Sequence, residues 1–165
     1  MRNGLRYLAA VTFAAACAFS ATVGATPASK FVGTTLAVGR LGEFSINLHT
    51  EPADIWQSRQ KTHGDSDLYV QSNVWQPGGS TGWHSHPGHS LIIVTAGTLT
   101  NYEGDDRDCT PHAYTAGMSF VDEGGDHVHL IRNEGTVEAR GYAVQLVPAQ
   151  AARRIDEPAP GNCPF

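Results

Sequence analysis

Five of the eight histidines in this 165-residue sequence stand in two short clusters. His84, His86 and His89 form the first cluster, and His127 and His129 form the second. On a β-strand, residues i and i+2 point to the same face, so His84 and His86 should project together, as should His127 and His129. Imidazole is a common ligand for transition metals. The spacing therefore predicts a metal site between two strands.

A simpler interpretation is that these histidines lie on exposed strand faces. Two His-x-His pairs, each beside a glycine-rich turn, favour the metal site over that interpretation. His89 follows a Pro-Gly turn, so strand alternation does not fix its direction. It is interpreted as a loop residue, with a fourth ligand as the alternative.

Short segments of strand character surround the clusters, separated by Gly or Pro about every ten residues. This spacing predicts an all-β sandwich or barrel. Residues 53–61 fit either a strand or a short helix. The predicted strands cover 31–38, 43–48, 68–75, 81–86, 91–94, 98–103, 118–121, 127–132 and 138–147.

Three local patterns give sharper predictions. The continuous apolar run Leu91–Val94 predicts a strand buried on both faces. The segment Gln76–Gly79, which contains Pro and two Gly, predicts a break in the chain's strand structure. The residues after Pro148 are expected to form a surface tail.

Composition excludes several classes of function. The net charge is −5 and no basic stretch is present, so a nucleic-acid partner is not expected. No apolar run reaches the roughly 20 residues of a membrane-spanning helix. The sequence also lacks a nucleotide-binding glycine loop and the G-x-S-x-G motif of serine hydrolases.

The N-terminus has the pattern of a secretory signal peptide. Arg2 and Arg6 precede or begin an apolar segment that extends to Phe19, and small residues stand before Thr26. Cleavage after residue 25 would export the protein to the periplasm or the medium. The alternatives are a buried N-terminal helix, or a lipoprotein modified at Cys17.

Such cleavage leaves Cys109 and Cys163. Two cysteines in an exported chain predict one disulfide, which would hold the C-terminal tail. Two free thiols are the alternative. The predicted organisation is a signal peptide (1–25), N-terminal strands and an arm (26–67), a barrel core (68–147) and the tail (148–165).

The residues around the histidines resemble two motifs of the cupin superfamily. The first motif reads G-x5-H-x-H-x3-E-x6-G, and the second reads G-x5-P-x-G-x2-H-x3-N. Glu123 replaces the Pro of the second motif, and one extra residue lies before its His. The resemblance covers about residues 68–147, and residues 109–112 and the tail also look like a group of small exported bacterial cupins. The matching positions are Gly78, His84, His86 and Gly97, then Gly117, Gly125, His129 and Asn133.

The resemblance implies a single-domain cupin barrel, which is a double-stranded β-helix or jelly roll. It makes His84, His86 and His129 the metal ligands, with His127 as the rival for the third place because of the extra residue. Ser90 occupies the place of the family's Glu ligand. A site of three neutral imidazoles without a carboxylate is therefore expected, open to water and favourable to an anionic ligand.

Histidines alone do not select one metal. The expected cofactor is one divalent transition metal, with Zn or Cu favoured and Fe, Ni or Mn as alternatives. Two functions fit the sequence: a metal-dependent enzyme acting on a small anionic or carbonyl-bearing molecule, or a non-catalytic cupin that binds a small molecule or a metal. A homodimer is compatible with either.

Other chemistry-bearing residues are interpreted as structural. Trp83 alternates with His84 and should point away from the metal. Tyr102, Tyr114 and Tyr142 should pack in the barrel. Asp122 and Glu123 are interpreted as turn residues, with a pocket rim as the alternative. The second histidine cluster, His127 and His129, follows them in the chain.

Overall fold

The computed structural model describes residues 24–51 and 56–165. The predicted signal peptide lies outside the described residues up to residue 23. Every regular element in the described part of the chain is a β-strand, as predicted. The strands are β1 (Ser29–Leu41), β2 (Ser45–His49), β3 (Gln57–Lys61), β4 (Ser66–Ser80), β5 (His84–His86), β6 (Ser90–Ala96), β7 (Thr98–Glu103), β8 (His112–Thr115), β9 (Ser119–Asp122), β10 (Gly125–Arg132), β11 (Ala139–Pro148) and β12 (Ile155–Asp156).

Ten of these strands join in one antiparallel sheet that curls into a nearly closed barrel. Its main path runs β12-β5-β10-β4-β11-β6-β9; β1 pairs with β4, and β7 joins β10 to β8. β2 and β3 form a separate hairpin. The sequence order and the spatial order differ, so the two histidine-bearing strands, β5 and β10, become neighbours.

Alternating side chains fill the barrel interior. One end is packed by an apolar cluster that includes Trp75, Val94 and Leu99. A smaller cluster of Trp83, Tyr102 and Leu130 lies under the C-terminal tail. Trp83 is therefore a packing residue, as predicted. In the part of the chain that the structure describes, no helix is long and apolar enough to cross a membrane.

The predicted break at Gln76–Gly79 is wrong in part. β4 continues to Ser80, but its ladder with β1 passes directly from Trp75 to Ser80, so the regular pairing is interrupted there. Gly78 takes a φ of 72°, which an L side chain rarely adopts, and its N–H donates to the carbonyl of Asn133. The Asn133 N–H in turn donates to the carbonyl of Gly79. Backbone hydrogen bonds from another segment thus carry the strand through a breaker sequence.

The prediction that Leu91–Val94 is buried on both faces is also wrong. Ile92 and Val94 are buried, whereas Leu91 and Ile93 are 53% and 45% exposed. β6 lies between β11 and β9 with only one face towards the barrel interior. Its outer face is apolar and stays about half exposed in the part of the chain that the structure describes.

The residues after Pro148 form more than a surface tail. Ile155 and Asp156 pair with Ser85 and His84 as strand β12. The disulfide between Cys109 and Cys163 closes the tail onto the loop after β7. Sequence reasoning missed this strand because its attachment depends on backbone hydrogen bonds and a covalent link rather than on an apolar pattern.

Candidate metal centre

Three imidazoles meet inside the barrel. His84 and His129 are directly paired across β5 and β10, and His86 follows on the same face of β5. The ring centroids lie 4.2 Å apart for His84 and His129, 4.8 Å for His84 and His86, and 5.4 Å for His86 and His129. One ligand atom from each lies within 4.8 Å of the others. His84 and His86 therefore project together from β5, as their i, i+2 spacing predicted.

Backbone carbonyls fix the proton position on two of these rings. The Nδ1 of His84 donates to the carbonyl of Gly82 at 2.9 Å, and the Nδ1 of His86 donates to the carbonyl of Arg153 at 2.7 Å. A carbonyl only accepts, so Nδ1 carries the proton in each ring. In a neutral ring this leaves Nε2 with a free lone pair, which is the form that binds metal.

Burial keeps the three rings neutral. It is the largest cause of lowering the pKa of His84 well below its ordinary value, that of His86 to about 4 and that of His129 to about 3. Positive neighbours such as Arg154 lower the pKa of His84 and His129 further. Neutral imidazoles at ordinary pH are ready to coordinate without first losing a proton.

His127 lies beside this cluster rather than within it. Its Nε2 is 3.4 Å from a carboxylate oxygen of Glu103 and 3.7 Å from one of Asp105, at the partly exposed rim. It shares a second group of close donor atoms with Asp122 and His129. The structure therefore places His129 in the three-histidine cluster, and His127 stands at its edge.

His89 is not part of the cluster. It faces the β2–β3 hairpin, and its Nε2 lies 3.3 Å from the Nε2 of Gln60. It lines an outer groove together with apolar residues such as Leu91 and Leu146. The interpretation of His89 as a loop residue agrees with this position.

A carboxylate lies beside the three-histidine cluster, where the sequence analysis expected none. Asp122, interpreted from sequence as a turn residue, ends β9 with a buried side chain. Its Oδ2 is 3.4 Å from the Nε2 of His86, and its Oδ1 is 3.5 Å from the Nδ1 of His129. Ser90 does occupy the inner face of β6, and its hydroxyl donates to the Oδ2 of Asp122 at 3.1 Å. The sequence offered no signal for this, since the two residues meet only through pairing of β6 with β9.

A small cavity of about 50 Å³ opens beside the three imidazoles. Its lining includes the apolar residues Trp75 and Ile92 and the polar residues Gln71, Gln145 and Arg153. Arg153 is half-buried there, and its Nη1 is 3.4 Å from the side-chain oxygen of Gln145. Sequence reasoning missed Arg153, which lies in the segment expected to be a surface tail.

The remaining aromatic candidates lie away from the cavity. Tyr102 is buried and donates its hydroxyl proton to Glu134, and burial raises its pKa to about 12. Tyr114 stacks on Phe120, as expected of barrel packing. Tyr142, also expected in the packing, is instead 44% exposed on the outer face of β11.

Comparison with known proteins supports a family assignment. Residues 73–145 match the family described as Cupin domain. No curated protein matches the chain. Several solved structures are similar to parts of the chain. The chain spans about half the length of one of them, an oxalate oxidase (22% identity over 50% of this chain and 46% of that chain, TM-score 0.42).

Two further structures come from bacteria. One is an uncharacterised conserved protein with a double-stranded β-helix domain from Klebsiella pneumoniae (20% identity, 55% of this chain, 70% of that chain, TM-score 0.46). The other is the cupin domain of an XRE family transcriptional regulator from Enterobacter cloacae (13% identity, 71% of this chain, 96% of that chain, TM-score 0.44). Residues 73–145, which include both histidine strands of the antiparallel barrel, therefore form a cupin domain.

Proposed function

We propose that this chain is an exported cupin that holds one divalent transition metal on His84, His86 and His129 and acts on a small anionic or carbonyl-bearing molecule. The observation that carries the proposal is the convergence of three buried imidazoles whose ligand atoms lie within 4.8 Å of one another. Zn or Cu is favoured, and Fe, Ni or Mn also accept such ligands.

The donor atoms fit a metal ion. Buried polar atoms normally have a hydrogen-bond partner, yet the Nδ1 of His129 is buried without one. In His84 and His86, hydrogen bonds to backbone carbonyls hold the proton on Nδ1 and leave a lone pair on Nε2. Such second contacts orient metal-binding imidazoles in known sites. A cation shared by the three rings would satisfy nitrogen atoms that the protein leaves without partners.

The cavity supports a small anionic substrate. Arg153 lines it, and among the described residues no carboxylate forms an ion pair with its guanidinium. A half-buried guanidinium without a carboxylate is a suitable anchor for a carboxylate or phosphate group. Among residues 24–51 and 56–165, the indole N–H of Trp75, which also lines the cavity, has no hydrogen-bond partner. The cavity of about 50 Å³ favours a ligand of few atoms.

The residues and the ion would divide the work. A bound divalent metal supplies Lewis-acid polarisation of an oxygen atom. Arg153 would hold the charged group of the substrate, and Gln145 would orient the guanidinium. The apolar wall beside Trp75 and Ile92 would limit access of water.

The test is a screen of metal-loaded protein against small carboxylates and carbonyl compounds, with turnover followed by proton NMR and binding by calorimetry. Turnover that is lost in Arg153→Gln but kept in Arg140→Gln would support the proposal, because Arg140 lies on the exposed outer face. Binding of the same compounds without turnover would instead favour the non-catalytic binding protein. Neither binding nor turnover across the panel would contradict the proposed substrate class.

Export and the division of the chain are part of the proposal. The Cys109–Cys163 disulfide supports an oxidising compartment. Residues 1–25 would be the signal peptide, 26–67 the N-terminal arm, 68–147 the barrel core and 148–165 the tail. N-terminal sequencing of the protein from the periplasm or the medium tests this, with Thr26 as the expected first residue.

A further inference from the structure

We propose that Asp122 is the carboxylate ligand of the metal centre, supplied from β9 in place of the Glu that cupins carry at the position of Ser90. The proposal rests on the metal site of the proposed function. It assigns a binding role to a residue outside the matching positions of both cupin motifs.

The electrostatics of His86 and Asp122 favour a cation between them. The Nε2 of His86 and the Oδ2 of Asp122 lie 3.4 Å apart, and both are buried. Because Nδ1 of His86 donates to the carbonyl of Arg153, a neutral ring presents only a lone pair at Nε2. A lone pair facing a carboxylate oxygen is unfavourable unless a cation lies between them.

The same carboxylate also lies close to a second imidazole. The Oδ1 of Asp122 is 3.5 Å from the Nδ1 of His129, and this nitrogen is buried without a hydrogen-bond partner. The carboxylate therefore faces two of the three proposed ligands. One cation placed among these groups would satisfy His129 and separate the oxygen atoms from the ring nitrogens.

The protein also holds the carboxylate in one orientation. Ser90 donates its hydroxyl proton to Oδ2, and the N–H of Gly124 donates to Oδ1, each at 3.1 Å. Ser90 and Asp122 are directly paired across β6 and β9. The family's carboxylate position and the carboxylate of this chain are thus neighbours across one pair of strands.

Charge also favours this assignment. Three neutral imidazoles leave the charge of a divalent ion uncompensated, while a buried carboxylate alone is costly. Asp122 and the ion would offset each other inside the barrel. The centre would then have three nitrogen donors and one oxygen donor from the protein, a set that suits Zn or Fe as well as Cu.

Zinc titration with a competing chromophoric chelator tests the proposal. Asp122→Asn should weaken zinc binding by more than about tenfold, because changing even an outer-shell partner of a metal ligand costs about 10–100-fold in affinity. Glu123→Gln, which changes the adjacent exposed carboxylate, should bind as the wild type does. The double variant Ser90→Glu/Asp122→Asn moves the carboxylate to the paired strand and should recover most of the lost affinity.

The visible spectrum of the Co(II)-loaded protein gives a second readout that does not depend on activity. Asp122→Asn should change the absorption bands of bound Co(II), and the double variant should restore bands close to those of the wild type. Equal zinc affinity and an unchanged Co(II) spectrum in Asp122→Asn would overturn the assignment of Asp122. Absence of zinc or cobalt binding in the wild type would overturn the metal site itself, which is a different result.

A crystal structure of the wild-type protein loaded with zinc covers the case in which Asp122→Asn does not fold. An Asp122 oxygen at about 2.0–2.2 Å from zinc would support the assignment. An oxygen held beyond about 3 Å, with the three histidines bound, would show a carboxylate that only orients the rings and would contradict it.

Discussion

At the residue scale, the metal centre depends on which nitrogen of each imidazole carries the proton. The carbonyls of Gly82 and Arg153 accept from Nδ1 of His84 and His86, and burial disfavours a second proton. The protein therefore presents neutral, oriented rings before any ion binds. Such preorganisation lowers the cost of assembling the centre.

The lowered histidine pKa values predict an acid-sensitive metal-free protein. Between pH 6.5 and about 4 the unfolded chain protonates these imidazoles, while burial keeps His86 neutral in the folded chain down to about 4 and His129 down to about 3. The unfolded state then binds more protons, so the free energy of unfolding falls as pH decreases through this window. In the presence of a chelator, the midpoint temperature of thermal unfolding should therefore fall as the pH is lowered through this window.

The His129→Gln variant is the control for this pH dependence. Removing one buried imidazole should make the slope of stability against pH shallower by up to one proton over the same window. Carboxylate protonation, which is common to both proteins, cancels in the comparison. Equal slopes in the two metal-free proteins would contradict the buried neutral state of His129.

Sequence alternation was sufficient to predict the histidines but not their partners. His84 and His86 share a face because they are two residues apart on a strand, and that rule is local. Asp122 and Arg153 reach the centre through pairing of β9 with β6 and through attachment of the tail to β5. Their roles depend on contacts between distant segments, which no short pattern encodes.

At the element scale, the turn between β9 and β10 lets Asp122 and His129, one on each strand, meet at one site. Gly124 and Gly125 both have positive φ, 72° and 69°. A Cβ at Gly124 would lie 2.2 Å from the carbonyl oxygen of Gly88, whereas a Cβ at Gly125 would meet nothing within 4 Å. A substitution at Gly125 therefore tests backbone strain alone, whereas a substitution at Gly124 tests backbone strain together with a steric clash.

Replacing these glycines by alanine should give unequal losses of stability. Gly125→Ala should cost about 1 kcal/mol through its left-handed backbone alone. Gly124→Ala should cost about 3 kcal/mol or more, because the turn must also move away from Gly88. Urea unfolding measures both losses in the free energy of unfolding. Equal losses would contradict the close packing of this turn against the backbone at Gly88.

The strand predictions succeeded where alternation and glycine punctuation agreed. They failed in part at Gln76–Gly79, where hydrogen bonds of Gly78 and Gly79 with Asn133 carry β4 on to Ser80 beyond an interrupted ladder. They also failed for Leu91–Val94, because an apolar run does not reveal whether its second face is covered. Both errors concern contacts between strands rather than the conformation of a single strand.

At the scale of the whole molecule, the tail joins the fold to the site. The Cys109–Cys163 disulfide spans a sequence separation of 54 residues and packs against Trp83 and Tyr102. Between this link and the barrel, Arg153 provides both the carbonyl that holds His86 and a guanidinium in the cavity wall. Releasing the tail should therefore affect stability and metal binding together.

The Cys163→Ser variant tests this connection. Removing the cross-link that closes a loop of this length should lower the free energy of unfolding by about 4 kcal/mol in the chain-entropy model. Zinc affinity should also fall, since His86 loses part of its support. Urea unfolding and chelator competition measure the two effects, and a stable variant with unchanged zinc affinity would contradict the structural role assigned to the tail.

The central claim is that three histidines inside the barrel bind a metal ion. The most direct measurement is elemental analysis of the purified wild-type protein beside the His84→Ala/His86→Ala variant, after both are incubated with zinc and desalted. We expect close to one equivalent of metal in the wild type and none in a variant that remains folded. A folded wild-type protein without metal, or equal metal in both proteins, would contradict it.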